Sequence, residues 1–260
     1  MQQNRLGAGG SAIIQRQVFV GGWGVLSYGD VLGKRLWAQI WHNFLLFLQM
    51  KEKTIYLYVL DTLSDWEPGY ALAEINSGRM FRKGAQKFIV QTVGAGKEPI
   101  TTMGGIKIKP DISVTEVSLK NAALLMLIGA DLWDDPKHRP VLSLTRQFLE
   151  SGIPVAAICG ATGALANEGI LDEYRHTSND PGYLKQLQGY SGGDNYVMEP
   201  AVRDGDLITA SGLAPLEFAR EILARLDVVE PAALTAWYNL YTTREAKYFY
   251  ELSELFPQEG

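Results

Sequence analysis

Cysteine is nearly absent: Cys159 is the only one in 260 residues, which excludes an intramolecular disulfide framework. Histidine is scarce as well. His42, His138 and His176 lie far apart in the chain, no Cys/His cluster has zinc-ligand spacing, and neither a metal nor any other cofactor is expected. An excess of one charge is also missing, since 24 Lys+Arg against 29 Asp+Glu leave a net charge of −5. That mild balance gives no reason to expect nucleic acid or an anionic membrane surface as a partner. The apolar run over residues 36–48 is interrupted by Gln39, His42 and Asn43 and is too short and too polar to span a bilayer. A lone thiol with nothing to pair with fits a reducing, cytoplasmic setting.

What is present divides the chain into three parts. Residues 1–49 combine glycine-rich patches with the tryptophan-containing run just described, and read as an N-terminal extension outside the core fold, with Met50 as the natural start. An amphipathic interfacial helix at residues 34–49 is the alternative. Residues 50–228 carry alternating strand and helix signals. Residues 229–260 read as a helical tail with Trp237, Tyr238, Tyr241, Tyr248, Phe249, Tyr250 and Phe256, an aromatic packing face that either caps the domain or forms a dimer contact.

In the middle part, a near-continuous apolar run at residues 54–60 predicts a strand buried on both faces, residues 86–93 read as a second strand, and residues 122–128 as a third, buried one. Helices are expected at residues 66–76, where Ser64 or Asp65 supplies the cap, and at 141–151. Residues 100–112 read as a hairpin excursion around Gly104-Gly105. Residues 174–178 read as a short strand, residues 197–202 and 207–210 as an antiparallel hairpin, and 215–226 as a further helix. His138, beside Pro136, Lys137 and Arg139, is expected on an exposed helix start. This alternation predicts an α/β fold, a doubly wound, mostly parallel sheet of flavodoxin-like type, with sites at the carboxyl ends of the strands.

The stretch Ile153-Pro154-Val155-Ala156-Ala157-Ile158-Cys159-Gly160-Ala161-Thr162-Gly163 concentrates the chemistry. A β-branched apolar run stops at Cys159 and a Gly/Ala-rich helical segment begins at once, the pattern of a nucleophile elbow. A side chain on such a turn projects above the strand ends. There the N–H groups of the following helix favour a thiolate. The competing reading is a small buried hydrophobe, which free cysteines often are.

These features resemble the ThiJ/PfpI superfamily of the class I glutamine amidotransferase-like fold. The resemblance rests on Ala156-Ala157-Ile158-Cys159-Gly160-Ala161, on Asp204-Gly205-Asp206-Leu207-Ile208-Thr209-Ala210 followed by Ala214-Pro215-Leu216-Glu217, and on Asp65-Trp66-Glu67 and Arg175-His176-Thr177-Ser178-Asn179. It covers roughly residues 51–226. It implies Cys159 as nucleophile and Glu67, reaching the sulfur from the first helix, as a carboxyl that stays protonated beside it. It also implies backbone N–H groups of Gly129 and Gly160 as an oxyanion site. Gly160 stands where triad members place a histidine, and Asn179 occupies the later slot. His176 is therefore either a base near the thiol or a core histidine. Trp66, Trp133 and tyrosines of the 182–196 loop are expected to line a pocket for a small-molecule substrate.

Two functions of different class follow. One is a hydrolase, hydratase, lyase or amidotransferase-like enzyme working through Cys159. The other is a non-catalytic stress or redox sensor whose event is Cys159 oxidation. An ammonia-delivering subunit would need a synthetase partner, and a homodimer is the expected assembly.

Overall fold

The computed structural model describes residues 52–256 together with Trp41. The expectations for residues 1–49 and for the last four residues lie outside the described residues. The chain divides into two units, Met1–Met50 and Lys51–Gly260, and the fold described here belongs to the second.

Five apolar strands make the centre of that unit: β1 (Lys53–Tyr58), β2 (Phe88–Gly94), β6 (Ala122–Leu127), β7 (Val155–Ile158) and β9 (Leu207–Ala210). They run parallel, with the short β5 (Ile112–Ser113) added at one edge and β8 (Ala201–Asp204) antiparallel at the other. The seven-stranded order is β5-β2-β1-β6-β7-β9-β8. Its five central strands have the flavodoxin-like order, and its chain reversal falls between β1 and β6. β3 (Ile100–Thr101) and β4 (Lys107–Ile108) form the separate antiparallel hairpin expected around Gly104-Gly105.

Every residue of β6 is buried, which is why its sequence is continuous rather than alternating: both faces are covered. On one face Ile55, Leu57, Leu124, Met126 and Ala156 meet Phe218, Ile222 and Trp237. Those three come from α5 (Pro215–Leu226) and α6 (Pro231–Thr243), which share that face with α1 (Gly69–Ser77). On the other face Tyr56, Tyr58, Leu125 and Leu127 meet α2 (Arg139–Glu150) and α3 (Gly160–Asn167). Truncating one of these core leucines to alanine would cost about 2–5 kcal/mol.

Three sequence expectations change. The first helix begins at Gly69 rather than Trp66. Pro68 explains this, because the residue before a proline is disfavoured in helical conformation. Glu67 therefore sits in the turn ahead of the helix. Residues 174–178 form only an isolated bridge, His176 to Tyr196. β8 already occupies the outer edge of β9, and Thr177 N–H donates to the Thr209 hydroxyl instead (2.9 Å). The aromatic tail is two helices, α6 and α7 (Ala246–Leu255), broken at Arg244 with φ 62°. α6 packs inward: the Trp237 indole donates to Glu74 (3.1 Å) and the Tyr238 hydroxyl to Glu217 (2.7 Å). Phe249 and Tyr250 of α7 remain exposed.

Candidate active site

Cys159 occupies the turn from β7 into α3 with φ 58° and ψ −125°, a conformation L-residues seldom adopt. Holding it costs on the order of 1–3 kcal/mol, so the surroundings must impose it. Cys159 N–H donates to Ala210 of β9 (3.0 Å). Its carbonyl accepts from Thr162 N–H (3.0 Å) and from the Thr162 hydroxyl (2.6 Å). Ser178 lies 2.7 Å beyond on that hydroxyl. The sulfur projects above the strand ends and is half-buried.

Glu67 reaches the same point from the turn after β1. It is fully buried. Its Oε2 accepts from Gly129 N–H at the end of β6 (2.7 Å), whereas Oε1 has no partner of ordinary hydrogen-bond geometry and faces the thiol. Glycine is required twice here. A Cβ on Gly129 would lie 2.7 Å from the Cys159 Cβ and 2.7 Å from each Glu67 oxygen. On Gly212, just past β9, a Cβ would lie 2.7 Å from Sγ and 3.2 Å from Oε1. Four strand ends thus converge on one sulfur and one carboxyl.

Burial pushes the Glu67 carboxyl up to about 7, against the opposing pull of Gly129 N–H and of the Cys159 and Ser64 side chains. Burial also pushes the Cys159 thiol up, and the neighbouring Glu67 carboxylate adds to this. The Asn179 amide and Gly160 N–H pull the other way, by donating to the sulfur. The helix end therefore does not by itself set the thiolate, contrary to the expectation from the elbow alone. Burial thus holds both acids toward their neutral forms, and ionising either opposes ionising the other.

Asn179 is in the site: Nδ2 donates to Sγ (3.3 Å). Its oxygen accepts from Gly212 N–H (2.8 Å), which fixes the orientation of the amide. Trp66 is half exposed at the mouth, its indole N–H donating to the Gly212 carbonyl (3.3 Å). Trp133 is buried behind the elbow; it donates to Ile128 (2.9 Å) and backs Gly160.

His176 does not join the thiol. One ring nitrogen lies 2.7 Å from the Tyr174 carbonyl and the other 2.8 Å from the Tyr190 hydroxyl, so the ring is fully committed to the loop that holds it. The expected Gly129 oxyanion donor is likewise committed, to Glu67. His138 is buried rather than exposed: Nδ1 lies 2.7 Å from the Tyr58 hydroxyl. The sequence reading missed Gly212, which Ser211 separates from the end of β9 and which matters for the sulfur and carboxyl that approach it. Among the described residues no group of three or more His, Cys, Asp or Glu side chains is placed to hold a metal ion, and no helix is long and apolar enough to cross a membrane.

A flavodoxin-like sheet with a cysteine elbow and a buried carboxyl beside it defines a protein of the class I glutamine amidotransferase-like fold. The DJ-1/PfpI family model matches residues 53–225, and the chain belongs to that family. It is 49% identical over 204 residues to the uncharacterized protease YoaZ of Bacillus subtilis, covering 78% of this chain and 97% of that one. Among solved structures, a ThiJ/PfpI family protein from Bacillus anthracis superposes with a TM-score of 0.77 at 50% identity, over 80% of this chain and 99% of the other. A glutathione-independent glyoxalase, DJR-1.2 of Caenorhabditis elegans, is 27% identical over 136 residues, 52% of this chain and 71% of that one.

Proposed function

We propose that Cys159 and Glu67 are the nucleophile and proton carrier of an enzyme acting on small carbonyl compounds, α-oxoaldehydes first among them. The observation that carries this reading is the buried Glu67 carboxyl, held by Gly129 N–H with its other oxygen turned to the thiol. A proton carrier poised near neutrality beside a presented nucleophile suits general acid–base work. The glyoxalase activity named for the Caenorhabditis elegans relative is of the kind this pair performs.

In the reactive tautomer the proton is on Glu67 and the charge on sulfur. The thiolate adds to the aldehyde carbon, the carbonyl π pair moves to oxygen, and Glu67 delivers its proton there. Glu67, now a carboxylate, removes the proton from the sulfur-bearing carbon. That proton passes to the ketone oxygen, giving an enediol; Glu67 then takes the hydroxyl proton from the sulfur-bearing carbon and returns it to the adjacent carbon, leaving a thioester. Water then releases a 2-hydroxy acid and restores the thiol. Every proton that moves passes through one carboxyl, and the net change is addition of one water.

A peptidase reading lacks its base, since both nitrogens of His176 are engaged elsewhere. A second reading, redox sensing, is supported by the Asn179 donor at Sγ, which would also hold a sulfinate oxygen. Turnover of methylglyoxal to lactate by the purified protein, followed by NMR, tests the proposal. Cys159→Ser is expected to lower it at least about a thousandfold. No turnover of any small aldehyde, with selective peroxide oxidation of Cys159, would overturn it in favour of sensing.

A further inference from the structure

The expected oxyanion site needs two donors, and one of them, Gly129 N–H, is spent on Glu67. Gly160 N–H is turned to the sulfur itself. An oxygen developing charge beside Cys159 therefore requires a donor from elsewhere. Tyr183 meets the requirement by position.

Tyr183 lies on the four-residue helix α4 (Pro181–Leu184), in the loop that also delivers Asn179 to the thiol. The segment is pinned at both ends. Asp180 Oδ1 accepts from Tyr183 N–H (3.0 Å), and Leu184 is fully buried against the α3 face. The phenol extends over α3 so that its hydroxyl occupies the place a Cβ on Gly163 would take; Cζ and Cε1 would be 2.9 and 3.0 Å from that Cβ. A helical Cβ leans toward the helix N-terminus. Gly163 is one turn after Cys159, so a hydroxyl at that place overlooks the elbow. The Cys159 sulfur and Asp134 both lie close enough to oppose ionisation of the phenol, and burial, the larger influence, acts in the same direction. The group thus stays a donor. Its hydroxyl has no hydrogen-bond partner among the described residues, and with 39% of the residue exposed it is open to a ligand.

We propose that the Tyr183 hydroxyl is the oxyanion donor of this site, hydrogen-bonding the carbonyl oxygen of the substrate while Cys159 Sγ adds to the carbonyl carbon. The inference rests on the carbonyl-addition reading above and names the group that reading lacks. Glu67 approaches from the turn before α1, on one face of the sheet, and Tyr183 from above α3, on the other. The nucleophile then has a proton carrier and a hydrogen-bond donor on different sides, which separates moving a proton from stabilising a charge. Gly163 is explained as well, since any side chain there would displace the hydroxyl.

The test measures addition apart from turnover. Reversible addition of 13C-labelled propanal to the intact protein is followed by NMR: the thiol proton ends on the aldehyde oxygen and a C–S bond forms, giving a hemithioacetal. Tyr183→Phe is expected to weaken this adduct about tenfold or more, while exchange of Cys159 with 4,4′-dithiodipyridine, which has no carbonyl, changes by less than roughly twofold. Gly163→Ala, which keeps the phenol but shifts it, is expected to reproduce the loss. Equal adduct affinity in Tyr183→Phe would overturn the inference. So would a parallel slowing of disulfide exchange, which would make Tyr183 a support for Cys159 and no donor. An adduct that never turns over would sink the enzymatic reading and leave Tyr183 as donor. No adduct in the native protein would sink both.

Discussion

Glu67 and His138 each bury a polar atom without a partner, Oε1 in one and Nε2 in the other, and no other described side chain does so. Burial drives both toward neutrality from opposite sides. It pushes the Glu67 carboxyl up to about 7 and the His138 imidazole down from its ordinary value. Their neighbours differ. Glu67 faces the half-buried thiol of Cys159, whose backbone is strained. His138 faces the Tyr58 hydroxyl and lies edge-on to its ring, 5.8 Å between centroids, with Trp133 alongside. An unsatisfied buried atom marks chemistry only where a reactive, reachable group completes it; elsewhere it is a packing cost.

The largest effect that would break this contrast is expected from Glu67→Gln. The amide keeps the shape and leaves an oxygen for Gly129 N–H, but cannot carry a proton between steps. Turnover is expected to fall about a hundredfold or more. The thiol should nevertheless become more acidic, because the carboxylate that opposes its ionisation is gone. Alkylation of Cys159 at pH 7 should accelerate while catalysis collapses. A loss of both together would mean Glu67 only shapes the pocket.

The same variant has a stability signature. A carboxyl whose folded value is raised from 4.5 to about 7 favours the fold when protonated. That contribution is fully present below pH 4.5 and is lost as pH rises through 7. Urea unfolding of the native protein should show this loss, no more than roughly 3 kcal/mol, and Glu67→Gln should abolish it. His138 runs in reverse. Its lowered folded value gives a contribution that is present above pH 6.5 and lost as pH falls below it. His138→Phe should flatten that acid-side slope and cost about 1–3 kcal/mol for the stranded Tyr58 hydroxyl, with turnover changed by less than about twofold. A larger loss of activity would place His138 in the site after all.

The same contrast shows what could be read without coordinates. The elbow was legible because a strand signal and a helix signal abut at Cys159, and periodicity is local information. Asn179 and Trp66 were candidates in the sequence, and their contacts to Sγ and to the Gly212 carbonyl are tertiary. The true start of α1 was also written in the chain, in Pro68, but its consequence, a Glu67 released from the helix to fold inward, is tertiary. His138 was misplaced because Lys137 and Arg139 flank it, and flanking charge says nothing about a ring that turns under a β1 tyrosine. Gly129, Gly163 and Gly212 each matter for what approaches them from distant strands or loops, and no single-chain pattern reports that.

The smallest effect separates electrostatics from loop support at Asn179. Its Nδ2 donates to Sγ and so favours the thiolate, while its oxygen holds Gly212 N–H. Asn179→Ala removes both and should raise the thiol slightly, slowing alkylation at pH 7 by about two- to fivefold, because the residue is exposed and solvent replaces much of the lost bond. Asn179→Asp retains an acceptor for Gly212 N–H but brings a negative charge to the sulfur. If the amide acts mainly by its donor, Asp must be worse than Ala, since repulsion is added to the missing bond. If it acts mainly by pinning Gly212, Asp must be the milder change. The rank order of two alkylation rates therefore decides whether Asn179 tunes the sulfur or merely holds the loop that covers it.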